Sequence, residues 1–136
     1  MRAATLKGWN CVLVESENDL LTQASGSNSG IVCTGVDATP GSLERALIRD
    51  SIAQFRGYCQ VHNVPIRPCG SLVCLWPWDD ENKLEEVLHE SHSAGDVHAQ
   101  RWTTEQVLAQ EPNLSESCRG AVFISGEIVL DPWLYS

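Results

Sequence analysis

The apolar run Asn10-Cys11-Val12-Leu13-Val14 closes on the carboxylate of Glu15. Soon afterwards the chain turns to small hydroxyl and glycine residues in Ala24-Ser25-Gly26-Ser27-Asn28-Ser29-Gly30-Ile31-Val32. That combination suits a nucleotide cofactor. A carboxylate at a strand end can accept hydrogen bonds from ribose hydroxyls. A loop of serine and glycine lets backbone N–H groups approach an anionic group with no bulky side chain in the way. Glu15 is therefore the expected ribose ligand, with Ser25, Gly26, Ser27, Asn28, Ser29 and Gly30 as the cofactor-lining bend. The plainer alternatives are an exposed carboxylate at a strand end and a flexible surface loop. A glycine-rich turn should precede such a carboxylate by roughly 20 residues, yet only fourteen residues stand before Glu15. The expectation is a cofactor-binding chain that has lost its beginning and its end.

Other constellations offer less. Cys59, His62, Cys69 and Cys74 supply four metal-ligand side chains within sixteen residues. However, Cys59 belongs to an apolar helix face, and Cys69 and Cys74 are separated by an odd number on a strand, so they point to opposite sides. No metal site is expected. Arg45 and Arg49, a helical turn apart, could meet an anion or form solvated salt bridges around Glu44 and Asp50. Trp76, Trp78, Trp102 and Trp133 read as packing residues. His89 and His92, a turn beyond Glu85 and Glu86, read as a polar helix face.

Composition narrows the partners. The chain has 136 residues with 43% hydrophobic content and a net charge of −9, from 18 acidic against 9 basic side chains. That suits one globular domain by size and leaves ample apolar material for a core. The acidic balance argues against nucleic acid and against anionic membranes, so small molecules or proteins are the expected partners. No apolar run approaches the ~18 residues of a membrane span. Ala3-Ala4-Thr5-Leu6 is too short for a signal-peptide core, and Glu15, Glu17 and Asp19 oppose a transit peptide. Six cysteines without a secretory signal are expected to be reduced and mostly buried, in an intracellular compartment, cytoplasmic or mitochondrial.

The elements that would position these residues follow from periodicity and punctuation. Residues 1–8 read as the tail of a helix stopped by Gly8, and 10–15 as a strand apolar on both faces, fit for the interior of a parallel sheet. Residues 16–41 form a long functional loop around Ile31-Val32-Cys33. Ser42 caps a helix to about Asn63, with Ile48, Ile52, Phe55 and Cys59 on one face and Leu47 alongside. A strand is predicted over 66–76, with Gly70 marking a bulge or close approach. A helix over 82–94 turns Leu84, Val87 and Leu88 inward and ends at Gly95. Strands follow at 98–102 and 120–124, with a helix between them over 105–111 capped by Thr103 or Thr104. One more helix opens at Asp131-Pro132. The later strands suggest a second substructure, a mixed sheet with helices on one side.

Several segments, taken in order, carry a family resemblance. They are Val12-Leu13-Val14-Glu15, the Ala24–Val32 bend, Pro40-Gly41-Ser42-Leu43, Arg67-Pro68-Cys69-Gly70-Ser71-Leu72-Val73, Glu111-Pro112-Asn113-Leu114-Ser115 and Gly126-Glu127-Ile128-Val129-Leu130-Asp131-Pro132. Together they resemble the FAD-dependent oxidoreductases of the D-amino-acid oxidase superfamily, above all its glycerol-3-phosphate and L-2-hydroxyglutarate dehydrogenases. The resemblance implies an α/β (α+β overall) architecture. A partial Rossmann-like FAD-binding domain would span 1–63, part of a mixed-sheet substrate domain 64–126, and the start of the return to the FAD-binding domain 127–136. It implies FAD as cofactor, with Glu15 on the adenosine ribose, Ser25, Ser29 and Gly30 along the pyrophosphate and flavin, and Ser27 and Asn28 lining the same loop. Hydride would pass from a hydroxyl-bearing carbon of glycerol 3-phosphate to the flavin. The alternatives are an L-2-hydroxy-acid dehydrogenase or oxidase, or a non-catalytic remnant or interaction domain of the same fold. Relatives usually carry histidine where this chain has Cys33, and a thiol does not replace imidazole as a base at neutral pH. The fragment alone is expected to be inactive.

Overall fold

The computed structural model describes residues 2–135. Its elements in chain order are α1 (Arg2–Leu6), β1 (Ile31–Val32), α2 (Leu43–Val61), β2 (Ile66–Arg67), β3 (Ser71–Cys74), α3 (Lys83–Ala94), β4 (Gln100–Trp102), α4 (Thr104–Gln110), β5 (Ala121–Ile124), β6 (Ile128–Leu130) and α5 (Pro132–Tyr135). The strands form two three-stranded sheets, ordered β1-β6-β2 and β3-β5-β4. Every pairing in them is antiparallel. The α/β class holds, but the mixed sheet expected for the second substructure is an antiparallel one over these residues.

Helix starts follow local chemistry. The Ser42 hydroxyl accepts the Arg45 N–H at 3.1 Å to begin α2. Thr103 and Gln106 form a reciprocal capping box that begins α4. Gly95 ends α3 in the left-handed region, where a residue without Cβ is favoured. Arg45 is buried against α3, donating to the Glu90 carboxylate and to the Glu90 carbonyl at 2.8 Å each. In place of the surface ion pair expected between Arg45 and Glu44, Arg45 makes a tether between two helices.

The second sheet carries the core. Strand alternation puts Val73, Val122 and Ile124 on one face, where Leu75, Ala99 and Leu84 of α3 join them. On the opposite face Ala121, Leu72 and Cys74 meet Val107 of α4, with Cys118 and Trp102. Helices therefore cover both faces, not one. Trp102 stacks on Phe123 with ring centroids 4.6 Å apart. Trp76 stacks on Trp78, but Trp78 and Trp133 are exposed rather than core.

Two predicted strands differ. Residues 10–15 form none: Val12 and Val14 are 86% and 87% exposed. A strand exists only when a neighbour takes its backbone hydrogen bonds, and among the described residues none runs alongside. The strand predicted over 66–76 is two strands in different sheets. Pro68 cannot donate to a ladder, and Gly70 adopts φ +67°. A Cβ at Gly70 would lie 2.4 Å from the Phe123 ring, so the close approach expected there is present. β2 then pairs with β6, and β3 with β5. Leu47, expected beside the apolar face of α2, is exposed.

Candidate functional site

The Ser25–Gly30 bend is held by its own backbone. Gly26 and Ser27 N–H groups donate to Gln23 and Ala24 carbonyls at 3.2 Å. The Asn28 amide spans the turn, donating to the Ser25 carbonyl and accepting the Gly30 N–H, the latter at 2.8 Å. Gly30 then sits at φ +66° and its carbonyl accepts the Leu130 N–H at 2.8 Å, which locks the end of the bend to β6. Its missing Cβ is required, because that atom would stand 2.4 Å from the Leu130 oxygen. At Gly26 a Cβ would meet the Leu21 carbonyl oxygen at 1.8 Å. The two glycines thus let the loop fold tightly against itself and against the sheet.

Glu15 caps the turn that follows it. Its Oε1 accepts the Ser16 and Glu17 N–H groups at 2.7 and 3.0 Å. The Glu17 and then the Ser16 amide hold its carboxyl below the ordinary value, so it is ionised and acceptor-only at neutral pH. Glu15 and Ser25 line one groove of about 450 Å3, with Leu13, Asp19 and Trp133. Asn28, Ser29 and Gly30 line a second, of about 370 Å3, against Ile48, Ile52 and Phe55 of α2. Helix α5 supplies a wall to each, Trp133 to the first and Tyr135 to the second. Gly26 and Ser27 join the two grooves without lining either. Cys33 is exposed at the rim of the second.

The donor set fits a nucleotide. An ionised carboxylate faces the same groove as an exposed serine, and Ser27, Asn28 and Ser29 of the bend are exposed, whereas Gly30 is buried. No group of His, Cys, Asp and Glu among the described residues could hold a metal. Nor is any helix there long and apolar enough to cross a membrane.

Comparison with known proteins decides the family. The family "FAD dependent oxidoreductase" (DAO) matches residues 1–136. The chain belongs to the FAD-dependent oxidoreductases. Within that flavoprotein family, it is 29% identical over 127 residues to a glycerol 3-phosphate dehydrogenase of Caloramator mitchellensis, covering 93% of this chain and 26% of the relative. It is 41% identical over 63 residues to a mitochondrial L-2-hydroxyglutarate dehydrogenase of Nematostella vectensis, covering 46% of this chain and 14% of that protein. The fold matches the L-α-glycerophosphate oxidase of Mycoplasma pneumoniae solved with FAD bound, at TM-score 0.77 and 20% identity, over 88% of this chain and 32% of the other. The chain thus spans about a quarter of the length of the glycerol 3-phosphate dehydrogenase and about a third of that of the oxidase.

One positioning residue escaped sequence reading. Buried Asp96 accepts the Ser125 hydroxyl at 2.7 Å and the Gly126 N–H at 2.9 Å. A Cβ on Gly126 would lie 2.7 Å from the Thr34 methyl. The β5–β6 turn is therefore clamped between Asp96 and the residue following Cys33, which joins the two sheets beside the bend. Only the turn pair Ser125-Gly126 and the Asp after Gly95 hinted at it. Replacing Asp96 with alanine leaves those donors without their acceptor and should cost about 1–3 kcal/mol. Urea denaturation should show a lowered midpoint with an unchanged slope; an unshifted midpoint would refute the clamp.

Proposed function

We propose that these residues supply the ribose-binding carboxylate and the cofactor-facing bend of an FAD-dependent enzyme that oxidises a hydroxyl-bearing carbon, that of glycerol 3-phosphate. The observation that carries the cofactor assignment is the groove shared by Glu15 and Ser25. Bound flavin supplies the hydride acceptor. In this reading Glu15 receives the ribose hydroxyls, and Ser25, Ser29 and Gly30 lie along the pyrophosphate and flavin. Gly26, Ser27 and Asn28 complete the same loop. Residues 1–63 then belong to the cofactor domain, 64–126 to the substrate domain, and 127–136 to the return, with β6 pairing on both sides to tie them. A small-molecule substrate and an intracellular compartment belong to the same proposal.

The glycerol 3-phosphate assignment draws on similarity spread over 127 residues. A 2-hydroxy acid is the second reading, favoured by the denser identity over 63 residues. Both leave Cys33 at the groove rim without an imidazole.

The test uses the chain within a polypeptide of its relatives' full length. Anaerobic glycerol 3-phosphate should bleach the oxidised flavin faster than L-2-hydroxyglutarate; the reverse order selects the second reading, and no bleaching by either points to a non-catalytic relative. In the same protein, Glu15→Ala removes the charged acceptor for the ribose hydroxyls, so FAD should dissociate at least about tenfold more readily. Unaltered flavin occupancy would remove Glu15 from the site.

A further inference from the structure

Six thiols are free, and the fold gathers two of them. Cys74 ends β3 opposite Ala121. Just beyond it, the Leu75 N–H donates to the Gly120 carbonyl and the Leu75 carbonyl accepts the Arg119 N–H, both at 2.9 Å. Arg119 and Gly120 thus face one residue across the ladder, a bulge, and Gly120 has φ +122°. The bulge brings Cys118 to the α4 face of the sheet, into the cluster with Val107 and Ala121 against which Cys74 packs. Of the other thiols, Cys69 is exposed and lines the same groove as Cys74, Cys11 and Cys33 lie on other loops, and Cys59 is buried on α2.

Access to the pair is unequal. Cys74 lines an open groove of about 740 Å3 with Arg67, Cys69, Leu72, Trp102 and Phe123; Cys118, 1% exposed behind it, packs in the same cluster as Cys74, and Cys69 is not part of that cluster. We propose that Cys74 and Cys118 form a reversible redox pair in which a peroxide reaching the groove oxidises Cys74 and Cys118 resolves it to a disulfide.

The Cys74 thiolate attacks one peroxide oxygen; an S–O bond forms, the O–O bond breaks, and hydroxide leaves to be protonated to water. The Cys118 sulfur then attacks the Cys74 sulfenic sulfur; the S–S bond forms, the S–O bond breaks, and a second water departs. Two thiols lose two electrons and two protons, and one peroxide becomes two waters. Burial and the adjacent Cys118 push the Cys74 thiol up to about 11. Little thiolate is present at neutral pH, so the reaction is slow and calls for excess oxidant.

The wild-type chain treated with excess hydrogen peroxide, alkylated while unfolded and mapped by non-reducing mass spectrometry provides the test. The expected product is a peptide pair joined through Cys74 and Cys118, two hydrogens lighter than the reduced pair and restored by dithiothreitol. In Cys118→Ser, dimedone should trap a sulfenic acid on Cys74. Recovery of both residues alkylated after oxidation, or cross-links confined to Cys11, Cys33 or Cys69, would overturn the proposal. The wild-type result decides it even if a variant fails to fold.

Discussion

Replacing Leu84 with alanine should destabilise this protein by about 2–5 kcal/mol, the range for emptying a packed leucine site. Leu84 is fully buried on the first turn of α3 and belongs to the cluster of Leu75, Ala99, Val122 and Ile124. Its side chain also reaches the bulge, where a Cβ on Gly120 would lie 3.7 Å from Leu84 Cδ1. The β3-β5-β4 sheet, through Val122 and Ile124, and the bulge at Gly120 both border the space that alanine would leave. A domain of this size has roughly 5–15 kcal/mol in total, so the variant should retain only a fraction of its folded-state margin. Denaturation in urea should show a much lower midpoint with the same slope. A loss below about 1 kcal/mol, the centre of the range for ordinary substitutions, would mean that α3 does not seal this core.

Gly30→Ala should have the second large effect, through two separable causes. The left-handed φ of +66° disfavours any side chain, and the new Cβ would sit 2.4 Å from the Leu130 carbonyl oxygen. Backbone strain of this kind costs about 1–3 kcal/mol, and relief of the clash must part β1 from β6, where the Gly30 carbonyl accepts the Leu130 N–H at 2.8 Å. Gly41→Ala is the matched control. Gly41 has φ +76° but nothing within 4 Å of its Cβ position, so it carries the strain without the clash. Gly30→Ala should destabilise more than Gly41→Ala and should speed hydrogen exchange at the Leu130 amide. Equal losses would show that the bend is not pressed against β6.

Much of this fold is legible because its signals are local. Ser42, Thr103 and Gly95 mark helix ends within a turn of themselves, and α2, α3 and α4 lie where those residues put them. The Ser25–Gly30 bend is legible as a loop for the same reason: small hydroxyl and glycine residues are unusual company for a packed core. Strand pairing is not local. Val12, Leu13 and Val14 have strand-forming side chains, yet without a neighbouring ladder they form no strand and stay exposed. Ile66 and Leu72 belong to one apolar stretch but to two sheets, because Pro68 and Gly70 break it and β6 and β5 compete for its halves. The clamp at Asp96 joins residues 29 and 30 positions away, and Arg45 meets Glu90 across 45. Such pairings are specified by packing and leave almost no trace in residue type or spacing.

The central claim is that Glu15 and the Ser25–Gly30 bend embrace the dinucleotide. Amide hydrogen exchange with and without added FAD, on the chain within a polypeptide of its relatives' length, tests it most directly. Protection should appear at the amides from Ser25 to Gly30 and around Glu15, and fade in Glu15→Ala. Protection confined to other segments, with these amides exchanging at the same rate whether or not flavin is bound, would contradict the assignment.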